Sequence, residues 1–239
     1  MNAFVTYRGR CGNTLFKYCS ARLFAEKHNG VLHSPLPDAC VVRSKWHESY
    51  APPPTGAIKL TDKHDIMTMP VDDNADYLLD GWFQRTRYYM PRRDEIRTWF
   101  DLADVDRNER DIVMHVRLGD YYTNWADGSR VIHPQWYCDI LDAAYFGCVY
   151  IVTAHPNDPY LNHFDKYHPT VISGDELDDF DFLRRFSRVI VGNSTFSWWA
   201  WFLGHGERCC TFKPWVKDPQ IELAEFAGAV ASNGDFYAA

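Results

Sequence analysis

Short apolar stretches alternate with stretches of helical periodicity throughout the second half of the chain, and this alternation limits the folds that it can adopt. Strand-like residues at 111–116, 148–153 and 188–191 are separated by helical patterns at 134–144 and 178–186. Neighbouring parallel strands need such crossover segments, because the chain must return to the same edge of the sheet. The pattern therefore predicts an α/β protein whose parallel sheets are covered by helices. In such folds ligands bind where the strands end and the loops converge.

The first half of the chain shows the same pattern less clearly. A strand is predicted at 3–7, followed by a glycine turn and by a helix that runs from Thr14 to the helix stop near Asn29. Residues 34–75 contain proline-rich loops with only short strand candidates between them. A strand at 76–80 and a helix at 92–100 are predicted to follow.

Length and composition allow one large domain or two small ones. The chain has 239 residues, of which 46% are hydrophobic, and this is enough to bury one large or two small cores. The charged stretch at 101–111 has the composition of a linker. We therefore predict an N-terminal domain at 1–105 and a C-terminal domain at 106–239.

Charge and motif spacing exclude several classes of protein. The formal net charge is -7, so no basic face is predicted and we expect no nucleic-acid partner. No run of 18 apolar residues occurs and the first residues do not form a secretory signal, so we expect no membrane span and a cytoplasmic location. The cysteines and histidines lack C-x-x-C and H-E-x-x-H spacing, and we expect no metal site.

Polar side chains follow the strand predicted at 111–116, in the segment "HVRLGDYY". If the strand continued to Arg117, then His115 and Arg117 would leave the same face of the sheet. The guanidinium group is a rigid fork of donors that fits a phosphate through two hydrogen bonds. The segment therefore predicts an anion site, and the alternative is an internal ion pair between Arg117 and Asp120.

Two further junctions between a strand and a helix carry glycine and hydroxyl groups. In "YRGRCGN" at 7–13, Gly9 and Gly12 allow the backbone to approach a ligand closely. In "VGNSTF" at 191–196, hydroxyl and N–H groups collect at a helix N-terminus that suits a phosphate. The alternative in both cases is helix capping, by Asn13 in the first junction and by Ser194 or Thr195 in the second.

An Asp-x-Asp pattern in "DDFDF" at 178–182 offers another hypothesis, a metal-dependent transferase. Acidic residues at a helix start also stabilise the helix dipole, and this explains the pattern without a metal ion.

Taken together and in this order, four motifs resemble those of the alpha-1,2-fucosyltransferase family. The family pattern G-R-x-G-N occurs at 9–13 and G-[YF]-F-Q corresponds to Gly-Trp-Phe-Gln at 81–84. The pattern H-x-R-x-G-D-Y occurs at 115–121, and N-S-T-F-S-W-W occurs at 193–199. The last two motifs are the more specific.

This resemblance implies a GT-B-like enzyme with two facing Rossmann-like domains. The C-terminal domain would bind GDP-fucose and the N-terminal domain would lie on the acceptor side. The reaction would be an inverting, metal-independent transfer of L-fucose to a glycan hydroxyl in alpha-1,2 linkage. The expected acceptor is a terminal galactose or a similar sugar, and no separate cofactor is implied.

The resemblance also implies roles for individual residues. Arg117 would grip the diphosphate and stabilise the charge that grows on GDP as the bond to fucose breaks. His115 would hydrogen-bond the nucleotide, and Asp120 would orient Arg117 or serve the acceptor. Asn13 would reach the bond under attack. The remaining residues that the resemblance places at the donor are Arg10, Gly12, Asn193, Ser194, Thr195 and Phe196.

The chain departs from the family pattern on the acceptor side. Thr14 follows Gly12-Asn13 where the family has glutamine, and residues 153–158 read "TAHPND" where the family has Ser-Asp-Asp. The sequence indicates no single general base, and the candidates are Asp120, Asp80 and His155. Two alternatives therefore stay open. The chain could transfer another deoxysugar or form another linkage, or it could be a glycan-binding module without catalysis.

Overall fold

The fold is described here from a computed structural model, for residues 1–46, 48–123, 130–212 and 237–238. The described chain divides into two compact units. Unit 1 comprises residues 1–102, and unit 2 comprises residues 103–212 with the strand at 237–238. The predicted boundary after residue 105 lies a few residues further along the chain. Parts of the predicted domain at 106–239 lie outside the described residues.

Unit 1 is built on a parallel sheet of four strands. Its elements in chain order are β1 (Asn2–Val5), α1 (Cys11–Lys27), β2 (Val31–Leu32), β3 (Arg43–Ser44), β4 (Ile58–Leu60), β5 (Asp76–Leu79), α2 (Thr86–Tyr89), a 3-10 turn (Met90–Arg92), α3 (Arg93–Thr98) and β6 (Phe100–Asp101). The order of strands in the parallel sheet is β2-β1-β5-β4. The short strands β3 and β6 form a separate antiparallel pair.

Helix α1 is the main helix of unit 1, and it is buried on almost every side. All residues from Cys11 to Ala25 except Asn13 are buried, and the helix contacts β1 and β2. The helix starts at Cys11, earlier than the predicted Thr14, because Arg10 is extended and its carbonyl oxygen accepts the first helical bond from the N–H of Thr14 at 3.0 Å. Asn13 therefore lies inside the first turn, and the alternative by which it would cap the helix is wrong.

Unit 2 contains a sheet of six strands. Its elements in chain order are β7 (Ile112–His115), α4 (Asp120–Thr123), α5 (Pro134–Ala143), β8 (Val149–Val152), a 3-10 helix (Pro159–Tyr167), β9 (Thr170–Ile172), α6 (Glu176–Arg184), β10 (Arg188–Gly192), α7 (Thr195–Leu203), β11 (Arg208–Thr211) and β12 (Tyr237–Ala238). The order of strands in the sheet is β12-β11-β10-β7-β8-β9, and all of them are parallel except β12.

The prediction of an α/β protein with parallel sheets is confirmed, but some individual elements differ. The helix predicted at 92–100 is a chain of short helical pieces from Thr86 to Thr98, which begins earlier and gives way to β6 at Phe100. Pro91 lies at the start of the 3-10 turn that joins these pieces, where its missing N–H costs no helical bond. Among the described residues of the loops at 34–75, the strands are the short β3 and β4.

Most of the aromatic residues of α7 are buried in unit 2 and pack against one another. Trp198 is buried and its ring stacks on that of Phe202, with 4.9 Å between the ring centroids. Trp199 packs edge-on against Trp198 at 5.1 Å. These contacts agree with the core role that aromatic residues in such a helix usually have. This packing also holds in place the start of α7, where several residues carry hydroxyl groups.

Gly204 marks a place where two backbone segments of unit 2 approach too closely for a side chain. A Cβ atom there would lie 2.4 Å from the carbonyl oxygen of Arg184 and 2.5 Å from its Cα atom. We predict that Gly204→Ala lowers the free energy of unfolding by more than about 2 kcal/mol, because backbone atoms must move to admit the methyl group. Urea unfolding measures this change.

Gly56→Ala is a control, because no atom lies within 4 Å of the added methyl group and only the positive φ of 97° is unfavourable. A Gly204→Ala variant as stable as the wild type would contradict the close approach of α6 and the end of α7.

Candidate active site

The order of strands in the sheet of unit 2 indicates a ligand site at the carboxyl ends of two central strands. From β7 the chain continues to β8 and β9 on one side, and it then returns to β10 and β11 on the other side of β7. β7 and β10 are neighbours in the sheet, and the loops that follow them therefore lead in opposite directions. This is the topological switch point at which open α/β sheets bind ligands.

Strand β7 ends at His115, so Arg117 lies beyond the strand in the loop that leads to α4. The prediction that His115 and Arg117 share a strand face is wrong for this reason. Backbone pairing continues only as far as the bond from the N–H of Val116 to the carbonyl oxygen of Val152, at 3.0 Å. Gly119 then turns the chain with a φ of 64°.

Arg117 and Asp120 form the ion pair that the sequence left as an alternative. The Nη2 atom of Arg117 lies 2.8 Å from the Oδ1 atom of Asp120, and both side chains are partly exposed. The guanidinium carbon also lies 5.3 Å from the centre of the Tyr121 ring. Arg117 is thus held by two residues at the start of α4, while part of the guanidinium group stays accessible to a ligand.

His115 is a buried and neutral histidine. Burial, together with the positive charge of Arg117, lowers the pKa of its imidazole to about 3. Its Nδ1 atom lies 3.1 Å from the hydroxyl oxygen of Ser197, and its ring lies 5.7 Å from that of Phe196. His115 is therefore an uncharged polar group beside the cationic Arg117.

The junction of β10 and α7 supplies hydroxyl and N–H groups beside these residues. Asn193 and Ser194 are buried, Thr195 and Phe196 are half-buried, and the hydroxyl of Ser194 does not cap the helix. The first helical bond runs from the N–H of Trp198 to the carbonyl oxygen of Ser194, at 3.1 Å. The N–H groups of the three residues at 195–197 have no intrahelical acceptor, so they can bind an anion.

The structure brings the two predicted motifs of unit 2 together. Besides the contacts of His115 with Ser197 and Phe196, the hydroxyl of Tyr121 donates to the carbonyl oxygen of Asn193 at 3.3 Å. The Asn193 amide donates in turn to the carbonyl oxygen of Arg130 at 3.0 Å. All the predicted donor-site residues of this unit lie at the switch point.

The two predicted motifs of unit 1 also meet, at the switch point between β1 and β5. The side-chain oxygen of Asn13 accepts a hydrogen bond from the Gln84 amide at 2.9 Å. Gly9 has a φ of 87°, and a Cβ atom there would lie 2.6 Å from the Asn13 amide nitrogen. Arg10 is exposed at the N-cap of α1 and Gly12 is buried in its first turn.

Lys17 is a buried lysine beside this junction that the sequence analysis did not single out. Its ammonium nitrogen lies 2.5 Å from the carbonyl oxygen of Gly81 and 4.9 Å from the centre of the Trp82 ring. Burial and the like charge of Arg8 lower the pKa of Lys17 to about 8. A lysine inside the apolar run "LFKYC" of a helix was the signal for this buried charge.

Asp80 is one of the candidate bases from the sequence, and its carboxylate is bound by cationic side chains. Burial raises the pKa of its carboxyl group, but hydrogen bonds from Lys59, Thr6 and Arg8 outweigh burial and lower it to about 2. Thr6 donates to Asp80 at 2.7 Å and the Lys59 ammonium group lies at 2.5 Å. Such a carboxylate is a weak base.

The Asp-x-Asp pattern has a structural explanation in helix α6. Asp175 caps the helix by accepting from the N–H groups of Leu177 and Asp178, both at 2.9 Å. The buried Asp179 accepts from the N–H of Gly174 at 2.8 Å, and Asp181 pairs with Arg184 at 2.5 Å. Across the described ranges, no cluster of three or more His, Cys, Asp or Glu residues could hold a metal ion.

Comparison with known proteins identifies the fold. No family model matches the chain, and no curated protein sequence matches it. Solved structures do match. Crystal structures of NodZ alpha-1,6-fucosyltransferase, one soaked with GDP-fucose and one co-crystallised with GDP, have TM-scores of 0.54 and 0.53 and identities of 14% and 15%. The fucosyltransferase NodZ from Bradyrhizobium has a TM-score of 0.51 at 15% identity.

The chain has a GT-B-like fold. Each of these matches covers 89% of this chain and 94% or 95% of the matched chain, so the likeness extends over both units. The predicted fold class of Rossmann-like domains with parallel sheets is thereby confirmed. At this level of identity the similarity is one of fold. No helix among the described residues has the length and apolar composition needed to cross a membrane.

The lowered pKa of Lys17 predicts how stability depends on pH. The ordinary pKa of this lysine is 10.5 and the folded value is about 8, so the unfolded chain binds the extra proton between these values. We predict that wild-type protein gains about 2 kcal/mol of unfolding free energy, relative to Lys17→Met, as the pH rises from 8 to 9.5. Urea unfolding of both proteins at each pH measures the difference.

Lys27→Met is the matched control, because Lys27 lies at the end of the same helix outside its buried stretch. A difference between wild type and Lys17→Met that stays constant with pH would show that Lys17 carries its proton in the folded state over this range.

Proposed function

We propose that the protein is a fucosyltransferase that transfers L-fucose from GDP-fucose to a hydroxyl group of a glycan. We further propose that the linkage is alpha-1,2 and that the reaction is inverting and independent of metal ions. The observation that carries the proposal is the cluster at the switch point of unit 2, where the segment that contains Arg117 contacts the start of α7 through His115 and Tyr121. The GT-B-like fold shared with NodZ supports it.

The charge distribution of this cluster suits a nucleoside diphosphate. A diphosphate needs positive charge and N–H donors, and Arg117 with the first turn of α7 offers both. His115 is uncharged, so it suits the nucleoside better than a phosphate. In this proposal the hydroxyl groups of Ser194 and Thr195 bind the diphosphate, and the ring of Phe196 lies beside the nucleoside.

Arg117 also suits the chemical step. When the bond between fucose and GDP breaks, negative charge develops on the β-phosphate oxygen that leaves. A guanidinium group held in place by Asp120 stabilises that charge without reorganising, which is the role that a metal ion has in other transferases. An acceptor hydroxyl that attacks from the face opposite GDP inverts the configuration at the anomeric carbon.

Unit 1 would supply the acceptor side. The bond from Gln84 to Asn13 holds the glycine turn, and Asn13 and Arg10 are proposed to reach the fucose and the bond under attack. Of the candidate bases, Asp80 is least suited because its pKa is about 2. Asp120 is paired with Arg117, whereas His155 is exposed and lies against Gly119, on the loop after β7.

A second candidate is a transfer that forms another linkage. NodZ, which shares the fold, is named as an alpha-1,6-fucosyltransferase, so the fold does not restrict the linkage to alpha-1,2. The motifs at 115–121 and 193–199 support alpha-1,2 through the family resemblance alone.

We expect the protein to bind GDP with micromolar affinity in EDTA, and to bind UDP and ADP much more weakly. Arg117→Ala should weaken GDP binding by at least about thirtyfold, because a hydrogen bond to a charged group contributes about 2 kcal/mol or more. Isothermal titration calorimetry measures both effects.

Arg107→Ala is the matched control, because Arg107 is also a partly exposed arginine of unit 2 that pairs with an acidic neighbour, Glu109, at 2.8 Å. A folded protein that ignores GDP would overturn the transferase proposal. Glycan binding that is indifferent to GDP and to Arg117→Ala would instead favour a glycan-binding module.

Product analysis decides the linkage. With GDP-fucose and an acceptor that ends in galactose, in EDTA, we expect a fucose bound to O2 of the galactose, detected by NMR of the purified product. Loss of activity in EDTA that added Mg²⁺ or Mn²⁺ restores would contradict metal independence. Fucose at another position would establish the second candidate.

A further inference from the structure

Ser197 is a fully buried residue of the site whose hydroxyl group touches three polar atoms. Its Oγ atom lies 3.0 Å from the carbonyl oxygen of Val191, 3.2 Å from that of Ser194 and 3.1 Å from Nδ1 of His115. A serine hydroxyl has one proton to donate and two lone pairs that accept. The three contacts therefore constrain where the protons lie.

The two carbonyl oxygens can only accept a hydrogen bond. The single proton of Ser197 is directed at them, and its oxygen is left as an acceptor towards the imidazole of His115. Nδ1 of His115 must then carry a proton to complete the contact at 3.1 Å. Which nitrogen of a neutral histidine is protonated is generally set by the partner of the other nitrogen.

We propose that Ser197 is a positioning residue that holds His115 in the tautomer with the proton on Nδ1, so that Nε2 presents a lone pair to the ligand. A lone pair accepts a hydrogen bond and repels an anion. The group that meets His115 is then a hydroxyl or N–H group of the donor substrate, and the phosphate oxygens are left to Arg117 and α7. The part about the ligand rests on the proposed function, whereas the tautomer does not.

The surroundings of His115 reinforce this arrangement. Burial and Arg117 keep the imidazole neutral at working pH, so Nε2 does not acquire a second proton. The hydroxyl of Tyr137 reaches the backbone carbonyl oxygen of His115 at 3.4 Å, and Phe196 packs against the ring. Both the backbone and the ring are therefore held while Ser197 sets the proton.

The first experiment reads the tautomer in the ligand-free protein. In protein labelled with ¹⁵N-histidine, we expect the Nδ1 atom of His115 to give a protonated signal and Nε2 an unprotonated one, with the signals identified by their loss in His115→Asn. His205 provides the opposite case in the same spectrum, because its Nε2 lies 2.8 Å from the carbonyl oxygen of Val105 and must donate. A proton on Nε2 of His115 in the wild type overturns the proposal.

The second experiment tests whether Ser197 acts through His115. We expect Ser197→Ala to weaken GDP binding about tenfold, the effect of losing one ordinary hydrogen bond, and to give a mixture of His115 tautomers. In a His115→Ala background the same substitution should have no further effect, because the partner is already absent. An equal loss in both backgrounds would mean that Ser197 acts on the fold alone, and would sink the proposal.

Ser20→Ala is the matched control for the loss of a buried serine. Ser20 is equally buried and donates to the carbonyl oxygen of Lys17 three residues earlier, as Ser197 does to Ser194. We expect it to leave the GDP affinity within twofold of the wild type. If Ser197→Ala does not fold, Ser197→Cys takes its place, with a sulfur that accepts more weakly than oxygen.

The two proposals can fail separately. A protein that shows the Nδ1 tautomer but does not bind GDP would overturn the proposed function and leave the role of Ser197 standing. A protein that binds GDP but carries the His115 proton on Nε2 would do the reverse.

Discussion

The pairing of β7 with β10 is the constraint on which the site of unit 2 depends. These strands are separated by β8 and β9 in the chain but are neighbours in the sheet, with Val113 opposite Val189 and Met114 opposite Ile190. All four side chains are buried, so the register is specified by the core. A shift of β10 by one residue would move Ser197 away from His115 and exchange the faces on which the core residues of β10 pack. The positions of the polar groups of the site therefore depend on the apolar packing of these two strands.

The same arrangement occurs in unit 1, where β1 and β5 are neighbours in the sheet but distant in the chain. Their loops bring together the glycine turn and the segment at 81–84, with Gln84 bonded to Asn13. The Asp80 carboxylate at this junction is bound within the unit by Thr6, Lys59 and Arg8. In unit 2 the equivalent position presents part of the Arg117 guanidinium group and the first turn of α7. The proposal that an anionic donor binds to unit 2 rests on these two groups.

Several features of the molecule could be predicted from the sequence, because they depend on local patterns. The alternation of strands and helices was sufficient for the fold class, and the position of the motifs after apolar strands was sufficient for a site at the strand ends. The order of strands in a sheet depends on contacts between distant residues, so the pairing of the motifs in each unit could not be read from spacing. The start of α1 at Cys11 was missed for a similar reason, because Arg10 receives the first helical bond only in its extended conformation.

The roles of two residues could not be predicted from the sequence, because the segments that contain them had another structural explanation. Ser197 belongs to a motif whose aromatic residues form the core, and only the structure shows that its oxygen reaches His115 at 3.1 Å. For Arg117 the sequence left a phosphate site and an ion pair with Asp120 as alternatives, and the ion pair forms at 2.8 Å. The ion pair and a phosphate site are compatible, since one carboxylate oxygen occupies one end of the guanidinium fork.

The central claim is that the N-terminus of α7, beside the loop after β7, is the site of the diphosphate. Hydrogen–deuterium exchange with and without GDP tests this claim most directly, because the N–H groups at 195–197 have no acceptor within the helix. We predict that GDP slows exchange in peptides that cover residues 193–198. Protection by GDP elsewhere in the chain, with unchanged exchange in these peptides, would contradict the account.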